Sequence, residues 1–507
     1  LYFARPLTLV QGSAAVALLA LAGIGAHGLI VHGELRWSPY YKIHYLAGQG
    51  GIYTNNIGHQ AMVRVGTSGP AYLLPHLLNR EAGNAPFADV VVIGAGSGND
   101  VAAALQSGAK RVDAVEIDPV IAAIGHADHP DKPYADPRVT LHNDDGRSHL
   151  RNAPRPYDLA VYALVDSLVL HSGYSSLRLE NFLFTREAFE DARRALAPEG
   201  VFVLYNYYRQ GWVVGRIAAL AEEVFGARPV VISLPYREAI GAQDGGDGFT
   251  VIIAGAPSKR LDAIRALLAG PNEVRLGEQR IGAARVETAQ AGRLPSDDWP
   301  QLYLREREIP WSPIGQGMLV MAILSLLILA AFAPRGRPRL DGRMFFLGAG
   351  FMLLETKGVV HMALLFGSTW VVNSIVFAAI LVMVLLANLY VHKWRPANLA
   401  PYYALLIAGL LVNAFVPMST FLSLAPLPRA LVSCAVVFVP VFFAGVVFSA
   451  AFSRSTRPGS DFGSNVAGII LGGLSEQLSL LAGFNALILV AIAYYLLSIL
   501  LRPRTAS

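Results

Sequence analysis

Of 507 residues, 54% are hydrophobic and only 15% charged, and the mean hydropathy is clearly positive, so the chain holds more apolar residue than a soluble core needs. The net charge of +5 comes mostly from short basic loops between apolar runs, where orientation signals lie, and this speaks against a nucleic-acid partner. Cys434 is the single cysteine, which excludes an intramolecular disulfide and a cysteine-based metal cluster.

The chain begins at Leu1 rather than Met, the mark of a processed or truncated product, with room for further helices upstream. Leu7 to Val31 is too long for a signal-peptide core and predicts a transmembrane helix within 1–33. Mixed sequence follows from His32 to Trp311. Tyr40 to Val65, rich in Tyr, Ile, Gly and Asn, predicts short strands and turns, hence a small β subdomain over 34–86. From Asp89 onward, apolar strand candidates alternate with amphipathic stretches: Val90 to Ile93, Arg111 to Ile117, Val139 to Leu141, Leu159 to Tyr162 and Val201 to Tyr205. That alternation predicts a parallel sheet with helices on both faces over 87–257. Residues 258–312, with weaker periodicity and ending in Asp297-Asp298-Trp299-Pro300, read as a cap returning the chain to the membrane. Seven further apolar runs start near Ile314, Met344, Trp370, Leu399, Ala430, Val466 and Asn485, so 313–507 is expected to be a seven-helix transmembrane domain and the chain to span the bilayer eight times.

With loops alternating sides, eleven basic residues fall opposite the soluble domain: Arg5, Arg335, Arg337, Arg339, Arg343, Lys393, Arg395, Arg454, Arg457, Arg502 and Arg504. The domain's own face holds Arg429, or five residues when Arg36, Lys42, Arg305 and Arg307 are added. The positive-inside rule then puts the soluble domain outside the cytoplasm.

Three strand ends carry chemistry. Gly94-Ala95-Gly96-Ser97-Gly98-Asn99-Asp100 follows the first strand of the expected sheet and opens a helix, Val101 to Gln106, whose free N–H groups suit polar or anionic atoms. Glu116, eighteen residues past Gly98, ends the second strand, where a carboxylate can accept hydrogen bonds from both ribose hydroxyls. Asn143-Asp144-Asp145-Gly146 follows the third, where an Asp can hold an adenine amino group. The bland reading is that the glycines serve turns and the acids cap helices. His126, His129, His142 and His149 lack metal-ligand spacing and read as surface or turn residues, so no metal is expected.

These stretches resemble the spermidine synthases (polyamine aminopropyltransferases), which share the fold of S-adenosylmethionine-dependent methyltransferases. The resemblance runs from about Trp37 to Tyr207: Ser38-Pro39-Tyr40-Tyr41-Lys42-Ile43, Gly58-His59-Gln60-Ala61-Met62, the glycine loop, Glu116-Ile117-Asp118, Asp145-Gly146, Tyr157-Asp158 and Asn181 to Phe189. Gly348 to Glu355, Gly367 to Asn373 and Gly463 to Glu476 look like segments of the membrane-embedded members. The resemblance implies a multi-pass α-helical membrane protein, of a bacterial inner membrane, with one inserted α/β (Rossmann-like methyltransferase fold) domain. It implies that Gly94, Gly96, Ser97, Gly98, Glu116 and Asp145 bind S-adenosylmethionine or its decarboxylated form, and that His59 and Gln60 line the substrate pocket.

The departures point elsewhere. The first of the family's two catalytic acids, the base that deprotonates the amine, aligns with Ala163; only Asp166 remains. The acid holding the aminopropyl amine aligns with Ser97, and the amine pocket's acids with Asn55, Asn56 and Ala61. A polyamine is a multiple cation and needs such carboxylates. Asp166 is either a relocated base or anchor, with Tyr174 and His171, or the cap of a turn. Three readings follow: a nucleoside-binding protein of this fold with altered chemistry, a methyltransferase, or a non-catalytic accessory subunit of a membrane complex whose partners are the bilayer and other membrane subunits. Glu355, Lys357 and His361 are costly at bilayer depth, and Glu476 and Asn373 are candidate partners for them. Gly468 and Gly472 suit close helix packing.

Overall fold

The computed structural model describes positions 13, 16, 17 and 20 and residues 33–501, except 68–69, 166–178, 209, 246–247, 271–273, 333–339, 417–419, 422–423 and 425. The expected first transmembrane helix and the candidates Asp166, His171 and Tyr174 lie outside the described residues.

Four antiparallel strands, β1 (Glu34–Trp37), β2 (Lys42–Leu46), β3 (Gly51–Thr54) and β4 (Ile57–Ala61), pair in chain order. Asn55 and Asn56, both at positive φ (50° and 68°), make the β3–β4 turn. The two asparagines are exposed hairpin residues suited to the left-handed region. Helix α1 (Pro70–Glu81) leads into a sheet built of β5 (Asp89–Ile93), β6 (Arg111–Val115), β7 (Val139–His142), β8 (Tyr157–Ala163), β9 (Leu196–Asn206), β10 (Val230–Leu234) and β11 (Phe249–Ala254).

The sheet order is β10-β11-β9-β8-β5-β6-β7. From β9 to β7 neighbours run parallel, but β11 pairs antiparallel with β9 and β10 antiparallel with β11. The sheet is thus mixed rather than parallel: Val230–Leu234 and Phe249–Ala254 are apolar runs that carry no mark of strand direction. Alternate residues of β5 feed opposite faces, Val90 and Val92 packing with α1, α2 (Asn99–Gln106) and α7 (Lys259–Ala269), and Val91 and Ile93 with α4 (Gly146–Arg151), α5 (Arg186–Ala195) and α6 (Gly211–Phe225). Helix α3 (Pro119–Asp128) follows β6.

Beyond residue 311 come α8 (Gln316–Phe332), α9 (Gly342–Phe366), α10 (Trp370–Trp394), α11 (Ala400–Phe415), α12 (Pro426–Phe452), α13 (Pro458–Ser475) and α14 (Phe484–Leu500). Four stretches among the described residues, Gly342–Phe366, Trp370–Trp394, Leu427–Phe452 and Pro458–Ala482, are long and apolar enough to cross a membrane. Helices α9 and α13 meet backbone to backbone: a Cβ on Gly468 would lie 1.7 Å from the Phe345 carbonyl oxygen, and one on Gly472 2.6 Å from that of Ala349.

The Asp297-Asp298-Trp299 segment docks the α/β domain onto these helices. Trp299, fully buried, donates its indole N–H to the Leu480 carbonyl at 2.7 Å. Asp298 accepts the Phe484 N–H on its carbonyl (2.8 Å) and the Asn485 N–H on its carboxylate (2.7 Å), serving the free donors at the start of α14. Asp297 holds Arg147 through two bonds of 2.7 and 2.9 Å.

Candidate nucleoside crevice

In the sheet order, β5 is flanked by β6 and β8, so successive connections leave it in opposite directions. The crevice beyond the C-terminal ends at such a reversal is where open α/β sheets bind ligands. The glycine loop lies there. Gly94, Gly96 and Gly98 have φ of 72°, 55° and 111°, a region in which a side chain would be strained. The neighbours also leave no room, since a Cβ on Gly96 would stand 2.6 Å from Gln60 Oε1. Ser97 is fully buried, and both its N–H and its hydroxyl donate to that same Gln60 oxygen at 2.8 Å. Gln60 thus braces the loop from the β subdomain, and His59 beside it is partly buried, which lowers its imidazole pKa.

Glu116 lies just past β6. One carboxylate oxygen accepts the Gly96 N–H (2.7 Å), the other the Asp118 N–H (2.9 Å). Burial pushes its pKa up to about 7. A carboxylate offers about four lone-pair sites, more than these two bonds fill. Asn143 ties the tips of β6 and β7 together by donating to the Glu116 and Ile117 carbonyls at 2.8 and 3.0 Å. Asp145 caps α4 through the Ser148 N–H (2.8 Å), as the bland reading holds, yet its second oxygen accepts the Ser368 N–H (3.3 Å) from the α9–α10 loop. Burial raises its pKa too. Tyr40, in the stretch before β2, accepts the Trp370 N–H at 3.1 Å, so the same loop touches the crevice twice.

Sequence reasoning missed several supports. Tyr134 donates to the Gly96 carbonyl at 2.7 Å from a single 3-10 turn, Pro133–Ala135, too short to leave a periodic pattern. Gly125 lets α3 press on the loop, for a Cβ there would lie 2.5 Å from the Ser97 carbonyl oxygen. Asp100 is buried, takes a hydrogen bond from Tyr205, and is pushed up to about 7 by burial. The histidines are not all surface residues: His129 is buried against Asn99 (3.0 Å), and His149 is buried beside His142 and Asp113. These contacts cross from one element to another, so spacing along the chain does not show them.

Residues 79–214 match the Spermine/spermidine synthase domain family. The chain carries a spermidine synthase-like domain. It is 34% identical over 116 residues to spermidine synthase 1 of Hyoscyamus niger, covering 22% of this chain and 34% of that protein. It is 30% identical over 139 residues to a polyamine aminopropyltransferase of Clostridium perfringens, covering 26% and 46%. The chain thus spans between about a third and a half of the length of these curated relatives. A solved structure described as a probable spermidine synthase from Corynebacterium glutamicum aligns at TM-score 0.35 and 18% identity, over 51% of this chain and 92% of that one. In the spermidine synthase-like domain, the matched residues run from the end of α1 to within α6 and include the glycine loop, Glu116 and Asp145.

Proposed function

We propose that this protein is a membrane-anchored spermidine synthase-like protein whose soluble domain binds an S-adenosyl-type nucleoside, S-adenosylmethionine or its decarboxylated form, and that its acceptor is not a polyamine. The nucleoside reading rests on Glu116. A buried carboxylate at a strand tip, fixed by two backbone N–H groups and with lone pairs to spare, is built to accept a vicinal diol, and the positive-φ glycines beside it let backbone approach a ligand closely.

The positions matching the family's acids argue against a polyamine. Ser97 is committed to Gln60, Asn55 and Asn56 turn a hairpin, and Ala61 and Ala163 have methyl groups that neither pair with an ammonium nor remove its proton. Membrane anchoring is supported by the four long apolar stretches and by outward leucines such as Leu381, Leu385, Leu389 and Leu489, which are 51–68% exposed. A second reading, a non-catalytic subunit of a membrane complex, is favoured by the arginine asymmetry, which puts the crevice on the side where nucleosides are scarce.

The test is calorimetric titration of the purified chain with S-adenosylmethionine, its decarboxylated form and methylthioadenosine, with Glu116→Ala as control. Binding that the substitution abolishes supports the site and ranks the three ligands. Binding that survives it moves the nucleoside elsewhere, and failure of all three to bind leaves the subunit reading.

A further inference from the structure

We propose that Asp113, His142 and His149 form a divalent-cation site, of the zinc type, on the sheet face beneath α4. One ligand atom from each lies within 4.8 Å of the other two. Asp113 sits in the middle of β6 and is 3% exposed, His142 ends β7, and His149 lies on α4 and is 8% exposed. The two imidazole rings lie with centroids 4.6 Å apart, tilted by 50° to each other.

The carboxylate of Asp113 is divided between two tasks. Its Oδ2 receives the Tyr157 hydroxyl at 2.7 Å and the Arg155 guanidinium at 2.9 Å, while Oδ1 faces His142 Nε2 at 3.1 Å. One oxygen held by outer donors and the other turned to an imidazole is the arrangement in which a ligating carboxylate is oriented by its second shell. Arg155 also rests on Asp89 at 2.8 Å, so its charge is shared with an acid outside the cluster. A neutral imidazole offers a lone pair to a metal. Two imidazoles and a carboxylate suit zinc, and the His142 side chain, 31% exposed, leaves an entry path and a fourth position for water. The site would tie α4 to β6 and β7 one turn below Asp145, the residue that caps the same helix. It stands independently of the nucleoside reading.

The experiment strips the 507-residue chain in detergent with EDTA and titrates it with zinc, following thermal melting, and with cobalt, following its visible d–d absorption. The expected result is one ion per chain, a melting temperature that rises with zinc, and loss of both signals in His142→Gln and His149→Gln. Tyr157→Phe, which removes an orienting donor, should weaken binding by about 10–100-fold while keeping the stoichiometry. A wild-type chain with no cobalt spectrum and a melting temperature indifferent to zinc and EDTA overturns the site and leaves a hydrogen-bonded network, even if the histidine variants do not fold. Equal binding by wild type and both folded variants overturns it as well.

Discussion

The crevice and the helical bundle both bury polar groups, but the crevice adds short-range bonds to its long-range ones, such as Ser97 to Gln60 and Ser368 to Asp145, whereas Lys357 and His361 are met from other helices. In the crevice, Glu116 is held by Asp118 two residues on and by the Gly96 N–H twenty back, and Asp145 by Ser148 three on. In the bundle, Lys357 donates to Asn485, 128 residues away, at 3.0 Å, and His361 bonds Asn413. Pairing across helices depends on how far α14 slides against α9, and that register is fixed by Asp298 at the start of α14, in the other half of the molecule. The short-range part of the crevice is written in a motif, whereas its long-range bonds and the Lys357 contact are written in the packing.

The sharpest test of that contrast compares two glycines. Gly468→Ala puts a methyl group 1.7 Å from the Phe345 carbonyl, backbone against backbone, so α9 and α13 must separate. Overpacking of this kind costs about 1–3 kcal/mol and occasionally more, and the rigid partner puts this variant at or above the upper end. Thermal melting in detergent should fall steeply while the nucleoside affinity of the folded fraction is unchanged. Gly125→Ala should do the reverse, displacing Ser97 and weakening nucleoside binding more than it lowers the melting temperature. Equal effects of both variants on affinity would mean that the two regions are not separable.

This contrast explains what was legible in the sequence. Strands β5 to β9 showed themselves as apolar runs, and the glycine loop, Glu116 and Asp145 followed as strand-end motifs because each is local. That α13 packs closely was legible for the same reason, from Gly468 and Gly472 four apart; that its partner is α9 was not. The direction of β10 and β11 was not, since an apolar strand reads the same either way. Tyr134, Gly125 and the Asp113–His142–His149 cluster were hidden because their partners lie on other elements.

Removing the Asn485 amide tests the bundle side alone. Asn485→Ala strips Lys357 of the hydrogen bond it makes to that side chain, leaving the Phe484 ring, 5.8 Å away. An unsatisfied buried polar group costs about 1–3 kcal/mol, so chemical denaturation should show a loss in that range, and Lys357→Met in the same background should recover part of it. No loss in the single variant would mean that the Lys357–Asn485 bond contributes nothing.

On the crevice side the test is pH. Glu116 rises from an ordinary 4.5 to about 7 because burial disfavours its charge. A carboxyl that holds its proton more tightly when folded gives a stability that is fullest below about pH 4.5 and declines as pH rises toward 7, the unfolded chain there binding fewer protons than the folded one. A diol donates to the carboxylate form, so nucleoside binding should release a proton near pH 7. Affinity should weaken by up to about tenfold, or 1.4 kcal/mol, for each pH unit below that. Calorimetry in two buffers of different ionisation enthalpy reads the proton directly. Proton uptake, or an affinity flat across this range, would break the assignment of Glu116.

The smallest effect is expected where the two regions touch. Gly367 has φ of 95°, and a Cβ on it would stand 2.8 Å from Asp145 Cβ, so Gly367→Ala should push the α9–α10 loop away and loosen the Ser368 N–H from the Asp145 carboxylate. That bond, at 3.3 Å, is long, and a typical net hydrogen bond is worth only about 0.5–1.5 kcal/mol. If an adenine amino group takes the same oxygen, freeing it should raise nucleoside affinity severalfold at most, while Arg151, which donates to the Leu364 carbonyl at 2.6 Å, keeps the end of α9 docked. Titration of Gly367→Ala beside wild type decides the matter. Tighter binding means that the loop competes with the ligand for Asp145; weaker binding means that the loop is a wall of the pocket, and the helices then belong to the nucleoside site rather than merely holding it at a membrane.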